Sequence, residues 1–517
     1  MFLKKLSVQQ IIWVSTILFL VISSALTYFD YLNYFFLIIP FSLFYLLILD
    51  TFQSRHTVKR NYPIVGRFRY FLESFRPEMR QYFFEGELDG KPFNRRQRSI
   101  VYQRAKNVKQ TISFGMQDDP NRIGYEWAAH SIYPKRADKQ FFRTTIGNSA
   151  CLQPYSASIY NISAMSYGAL SKTAISSLNK GAQKGGFAHN TGEGGISDFH
   201  LEGGDLIWQI GTGYFGCRND DGSFSDELFS EKSNFPQVKM IELKLSQGAK
   251  PGHGGLLPGE KNTPEIAKIR NIKPHIAVHS PAGHTAFSNS VELLQFLNKL
   301  RKLSNGKPVG FKICIGRKAE FIAIVQAMKE TGIVPDFITI DGAEGGTGAA
   351  PLEFIDYMGM SLSDALIFAS KVIKEFGLRD QIKIMASGKI ITGFDIAKAI
   401  SLGADACYSA RGMMFALGCI QALQCDSGKC PVGIATQDKT LYKGLDITDK
   451  SVRVAHFHNN TLKAFAEFIG ACGFDSPKAI TPNVFYRRID HKTNESFASL
   501  FFKDSENIAK TEKINLN

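Results

Sequence analysis

No Cys-x-x-Cys pair occurs anywhere in this sequence, and cysteines are few, eight among 517 residues. A secreted fold stapled by disulfides is small and cysteine-dense, so that class is excluded. Wholesale disorder is excluded as well, because the composition is 44% hydrophobic and 21% charged. A dinucleotide-binding turn is also missing. Gly211-Thr212-Gly213-Tyr214-Phe215-Gly216 fits GxGxxG, but a helix must open there. Cys217 through Gly222 follows instead and reads as a turn.

Positive charge is present but local. The net charge is +14, and residues 51–110 hold 14 Lys and Arg against 5 Asp and Glu. The rest of the chain is close to neutral, which argues against a nucleic-acid partner. A basic stretch directly after an apolar one fits an anionic lipid surface.

That apolar stretch fills the first fifty residues. Ile11 to Phe29 is almost uninterrupted, and a second run extends from Tyr34 to Leu49. Each is near the roughly 17–25 residues that cross a bilayer core. Lys4 and Lys5 precede the first run, Arg55, Lys59 and Arg60 follow the second, and the link around Asp30 has no Lys or Arg. The positive-inside rule then predicts a two-pass hairpin in the cell membrane with both ends, and the domain that follows, in the cytoplasm. Residues 51–150 form a basic, aromatic connector whose Arg, Tyr and Phe suit a membrane interface or a packed collar under the next domain.

From about residue 155, short β-type runs alternate with helical stretches. The strand candidates are 159–165, 187–190, 206–211, 239–245, 309–315, 336–341, 382–387 and 404–410, with helices predicted at 171–184, 290–304, 318–331, 361–376 and 393–402. Eight such units are the size of a TIM barrel, so the predicted fold is α/β, a (β/α)8 barrel preceded by a transmembrane helical hairpin. The expected divisions are 1–50 for the two membrane helices, 51–150 for the connector, 151–475 for the barrel and 476–517 for a C-terminal tail. The long stretch 246–289 has no core pattern, and loops of that length are usually functional.

Barrel enzymes work at the carboxyl ends of their strands. Strand one ends in Ser163-Ala164-Met165-Ser166-Tyr167-Gly168, small enough for a flat ligand to approach the backbone. Gly388 and Gly412 follow strands seven and eight just before helices, the usual phosphate position of this fold. Lys312 lies in mid-barrel, either as positive charge near a flavin ring or paired to a carboxylate. The strongest motif is Cys419-x5-Cys425-x4-Cys430-Pro431. Three thiolates without a fourth ligand or a nearby histidine suit a three-iron cluster better than structural zinc, and loop 419–430 is the expected iron–sulfur loop. Cys151, Cys217, Cys314, Cys407 and Cys472 read as reduced thiols.

Ser163 to Ser166, Asn190 to Gly195, Lys244 to Gly252, Gly345 to Pro351 and Cys419 to Gln437 together resemble the synthase domain of glutamate synthase, over about residues 155–440. The resemblance implies FMN in the barrel and a 3Fe-4S cluster on Cys419, Cys425 and Cys430. It places FMN contacts at Ala164, Met165, Ser166, Asn190 and Lys312, with the phosphate near Gly342, Gly388 and Gly412. It assigns 2-oxoglutarate to Lys244 and Arg270, makes Glu193 the carboxylate at the substrate end, sets Lys250 near the cluster, and makes Glu193, Lys244 and Lys250 catalytic. The implied reaction passes a hydride from reduced FMN to 2-iminoglutarate, giving glutamate.

Two departures accompany it. The family's motif continues with glutamate and glutamine, the latter a substrate contact, where this chain has His253 and Leu256. Full glutamate synthases begin with a cysteine amidotransferase domain, whereas this sequence begins Met1-Phe2-Leu3 and runs into its apolar segment. Ammonia is then expected free or from a separate subunit, and electrons from a protein donor such as ferredoxin. Two alternatives stay open. One is an FMN and iron–sulfur oxidoreductase acting on another oxo acid or imine. The other is a membrane-bound electron relay, which has no need of Lys244, Arg270 and Glu193 facing one another.

Overall fold

The computed structural model describes residues 6–108, 110–138 and 142–503. Lys4 and Lys5 lie outside the described residues, as does the end of the tail. The chain divides into two compact units, at Arg95/Arg96.

The first unit opens with helix α1 (Val8–Tyr28), started by a capping box in which Ser7 and Gln10 satisfy each other's backbone N–H groups. A short 3-10 turn leads into α2 (Ile38–Phe52). Both apolar helices, Val8–Tyr28 and Tyr34–Phe52, could cross a membrane, with mean hydropathies of 2.0 and 2.1. Trp13 Nε1 donates to Thr51 Oγ1 at 3.1 Å and ties the two together. The helix α3 (Val65–Met79) follows; a single π turn, Arg80–Phe84, continues it.

In the second unit eight parallel strands close a barrel: β1 (Tyr160–Ile162), β2 (His189–Asn190), β3 (Leu206–Ile210), β4 (Val238–Lys244), β5 (Val309–Ile313), β6 (Phe337–Asp341), β7 (Lys383–Ser387) and β8 (Ala406–Ser409). Each lies within the run expected for it, except that β4 starts one residue earlier, at Val238. The helices α4 (Lys172–Gly185), α5 (Pro264–Arg270), α6 (Ser290–Leu303), α7 (Lys318–Thr331), α8 (Leu362–Glu375), α9 (Gly393–Ser401), α10 (Arg411–Leu417) and α11 (Ile447–Ala471) lie along or after the barrel. The packing of α4 on α11 depends on Gly181, where a Cβ would come within 2.6 Å of Val454 Cγ1.

Two details were hidden in the sequence. Stretch 246–289 carries a two-residue hairpin, Leu256–Leu257 with Val278–His279, and the helix α5. Strand Phe485–Arg488 pairs with Glu126–Ala128 and with Asn494–Ser496, so part of the expected tail shares a sheet with part of the expected connector.

The barrel interior is polar at one layer. Glu242 is fully buried, and its carboxylate accepts from Asn190 Nδ2 at 2.8 Å, Gln209 Nε2 at 2.7 Å and Thr339 Oγ1 at 2.5 Å. Strand side chains alternate with a period of two, so Lys244 stands on the same face as Glu242, one layer nearer the mouth.

Candidate active site

Lys244 ends β4, and its Nζ lies 2.9 Å from Glu193 Oε1, carried by the loop after β2. Glu193, Lys244 and Lys250 line one cleft, together with Thr212, Gln247 and His253. Burial opposes the charge on Glu193, but Lys244, then Lys250 and Arg270, hold its carboxyl below the usual range. Lys250 is pulled below its ordinary value by burial and by the like charge of Lys244.

Arg270, also expected at the substrate, ends α5 and is placed differently. It is buried, its guanidinium donates from Nη2 to the Tyr167 carbonyl at 3.2 Å, and it lies 5.0 Å from the centre of the Phe215 ring. Burial lowers its pKa to about 10, with Glu193 opposing the shift, so it stays charged at neutral pH. Arg270 therefore belongs to the electrostatic surroundings of Glu193 without lining the cleft.

Lys312 is opposite Lys244 in the β4–β5 register. Its Nζ lies 3.2 Å from Asp341 Oδ2, and both side chains are buried. Lys312 is thus held by a carboxylate partner at the end of β6. Asp341 also accepts from Gly248 N at 2.8 Å, which draws the loop after β4 onto the end of β6. Gly248 has to be glycine, because a Cβ would run into the Gly342 carbonyl oxygen.

The residues expected around a flavin lie at or just beyond the ends of β1, β2, β6, β7 and β8, with Asn190 the last residue of β2 and Gly412 in the first turn of α10. Ser163 N donates to the Ser409 carbonyl at 3.1 Å, and Ser163 Oγ is 3.5 Å from Ser387 Oγ, so the ends of β1, β7 and β8 adjoin. Asn190 is fixed at both ends of its amide: its Nδ2 donates to Glu242, and its Oδ1 accepts from Gly192 N at 3.0 Å. Ala164, Met165, Ser166, Gly342, Gly388 and Gly412 sit around this small-residue mouth, and Gly388 has a φ of +155. Strand ends made of serine, alanine and glycine leave room for a flat cofactor and its phosphate, so the residues fit FMN in kind.

The cysteine loop follows Gly418, the left-handed cap of α10. All eight cysteines are free. Burial pushes the Cys419 thiol up to about 11; the Gln421 N–H and Arg411 counter this, while Cys425 and Cys430 add to it. Arg411 Nη1 lies 3.6 Å from Cys425 Sγ. Among the described residues no group of three or more His, Cys, Asp or Glu side chains is gathered closely enough to hold a metal ion. The donor set, three thiols on one loop, fits an iron–sulfur group by its chemistry. The segment after it returns to the barrel mouth, where Gln437 Nε2 donates to the carbonyls of Gly168 at 3.2 Å and Leu170 at 2.9 Å.

Sequence reasoning missed His284. Its Nε2 donates to the Lys244 carbonyl at 2.9 Å, which leaves Nδ1 to accept from Tyr214 Oη at 3.2 Å; Tyr214 Oη accepts in turn from Ala286 N at 3.1 Å. Burial holds this imidazole down to about 4, so it is neutral. A lone histidine in a loop without periodicity carries no signal that it will reach the end of β4.

A closed parallel barrel with a charged cleft at the carboxyl ends of its strands is the architecture of a barrel enzyme. Comparison with known proteins narrows the class. Residues 141–475 match the model described as the conserved region in glutamate synthase. The glutamate synthase large subunit-like protein YerD of Bacillus subtilis (strain 168) is 38% identical over 496 residues, covering 87% of this chain and 94% of the relative. An archaeal glutamate synthase (NADPH) of Methanocaldococcus jannaschii is 36% identical over 366 residues, 70% of this chain and 68% of the relative. Among solved structures, a double-mutant flavocytochrome b2 with pyruvate bound aligns with a TM-score of 0.42 and 12% identity, over 80% of this chain and 85% of that one. The chain belongs to the glutamate synthase family, whose members are oxidoreductases.

Proposed function

We propose that this protein is a membrane-anchored, glutamate-synthase-type enzyme that reduces 2-iminoglutarate, formed from 2-oxoglutarate and ammonia, to glutamate. The observation that carries the reading is the charge of the cleft. Its lining holds two lysines, Lys244 and Lys250, against one carboxylate, Glu193, with the Arg270 guanidinium behind. An excess of cations in a partly buried cleft favours a dicarboxylate, because charge-assisted hydrogen bonds strengthen as water is excluded.

Lys244, directed by β4 toward the mouth, binds a substrate carboxylate. Glu193 takes the proton that ammonia loses as it adds to the oxo carbon, and Lys250 gives one to the departing hydroxyl, releasing water. Arg270 keeps Glu193 ionised for that role. Ala164, Met165, Ser166, Asn190 and Lys312 with Gly342, Gly388 and Gly412 would hold FMN, and Cys419, Cys425 and Cys430 a 3Fe-4S cluster. Bound there, FMN supplies hydride chemistry, and the cluster supplies one-electron transfer from a protein donor such as ferredoxin. Ammonia arrives free or from a separate subunit. The apolar helices α1 and α2 hold the barrel at the cytoplasmic face of the membrane.

Anaerobic reduction of the purified protein, followed by stopped-flow mixing with 2-oxoglutarate plus ammonium, tests this. Flavin reoxidation that needs both reagents, with glutamate as product, is the expected result. Reoxidation indifferent to both overturns it. His253 in the cleft lining supports a second reading, in which a different oxo acid or imine is the acceptor. The same mixing experiment with a panel of oxo acids separates the two.

A further inference from the structure

Helix α3, Val65–Met79, has two faces with different fates. Gly66, Arg67 and Tyr70 face the rest of the first unit. A Cβ on Gly66 would meet the Val58 carbonyl oxygen at 2.9 Å, and Lys59 Nζ sits 4.8 Å from the centre of the Tyr70 ring. Arg67 Nε lies 2.8 Å from the Oδ2 of Asp50, a buried residue in the last turn of α2, and Ile64 N donates to the same oxygen at 3.0 Å. The helix is thereby fixed to the point where α2 ends.

The other face is apolar and uncovered. Phe68, Phe71, Leu72, Phe75 and Met79 recur at spacings of three and four, which lines them along one side of a helix. They are 61%, 55%, 52%, 49% and 43% exposed. Phe71 packs on Phe75 at 4.9 Å between ring centres, so the stripe is continuous, and exposed Tyr82, Phe83 and Phe84 extend it. Arg69 and Arg76, seven positions apart, border the stripe on one side. From residue 51 to 80 the sequence carries seven Lys or Arg against two Asp or Glu.

We infer that α3 lies in the plane of an anionic lipid surface, its aromatic stripe in the boundary between headgroups and acyl chains and Arg69 and Arg76 on the phosphates. Three observations select this occupant. α3 begins 13 residues after the end of a helix long and apolar enough to span a bilayer, with one short helix, Thr57–Asn61, between them. The Asp50–Arg67 pair holds α3 at the end of that span. The border charge is net positive, Arg69 and Arg76 against Glu78, the sign that anionic headgroups attract. A 15-residue helix is about 22 Å long, and such helices bury their apolar face by about 5–10 Å. The inference goes beyond the catalytic reading and rests on α1 and α2 crossing the membrane.

The test uses the full chain reconstituted in phosphatidylcholine vesicles with and without phosphatidylglycerol, the acyl chains brominated near the headgroup or near the tail end. Tryptophan emission of Leu72→Trp is compared with that of the unsubstituted chain. Retention in the vesicle pellet after alkaline carbonate extraction reports insertion of α1 and α2 independently. Added emission quenched at least ~2-fold more by shallow than by deep bromines is expected, as the interfacial depth requires. It should be strongest with phosphatidylglycerol and fall to the neutral-lipid level when Arg69→Gln and Arg76→Gln are added. A carbonate-resistant chain whose added emission is unquenched at either depth would mean that the barrel or a second copy covers the stripe, and the inference falls while the membrane anchor stands. Equal quenching in neutral and anionic vesicles removes the anionic requirement.

Discussion

Lys244 Nζ meets Glu193 Oε1 at 2.9 Å across the mouth of the barrel, between the end of β4 and the loop after β2. Because both are partly shielded and Lys250 adds a second cation to the same cleft, an incoming carboxylate competes with Glu193 for Lys244. Replacing Lys244 by methionine should therefore raise KM for 2-oxoglutarate by about 10–100-fold, since a charge-assisted hydrogen bond contributes about 1.5–3 kcal/mol. Flavin content should stay near the parent value. Steady-state kinetics with a cofactor assay measures both.

The Lys312–Asp341 pair makes a different prediction, because both partners are buried. Lys312→Met leaves a carboxylate in the barrel without its cation. A loss of about 3–5 kcal/mol is expected on the scale for broken buried pairs. Adding Asp341→Asn should recover much of it. Denaturant midpoints of the two variants give the answer, and a double variant no more stable than the single one would count against the pair as the cause.

The cysteine loop is checked by metal analysis. The parent protein should hold about three irons per chain, and Cys425→Ser should lose them while keeping much of its FMN. Zinc in place of iron would overturn the assignment of Cys419, Cys425 and Cys430.

Acid should weaken the fold before it touches the carboxylates. His200, His284 and His458 are each held down to about 4 by burial, and His189 well below its ordinary value by burial and by His200. Their folded pKa values lie below the unfolded value of about 6.5, so the unfolded chain binds more protons between about pH 6.5 and 4. Stability is fully present above that window and falls as pH drops through it. A difference of at least ~2 kcal/mol between pH 7 and 5 is expected, at about 1.4 kcal/mol per pKa unit. Thermal melting in detergent across that range measures it, and a flat profile would show these rings to be solvated.

Much of the architecture was determined by the sequence alone. The eight strands, five of the intervening helices and the two apolar spans are local patterns, because periodicity and hydropathy act over a few residues. The ends of β1, β7 and β8 could be read as a cofactor mouth for the same reason: Ser163, Ser387 and Ser409 end runs of strand-forming residues. The tertiary structure alone decided which charges meet. It paired Lys312 with Asp341, brought Glu193 to Lys244, set Arg270 behind the cleft, and carried His284 to the Lys244 carbonyl. It also joined Glu126–Ala128 to Phe485–Arg488, some 360 positions away as counted along the chain. Such contacts have no local signature, because a charge or a hydrogen-bonding group takes whichever partner the closed barrel places within reach.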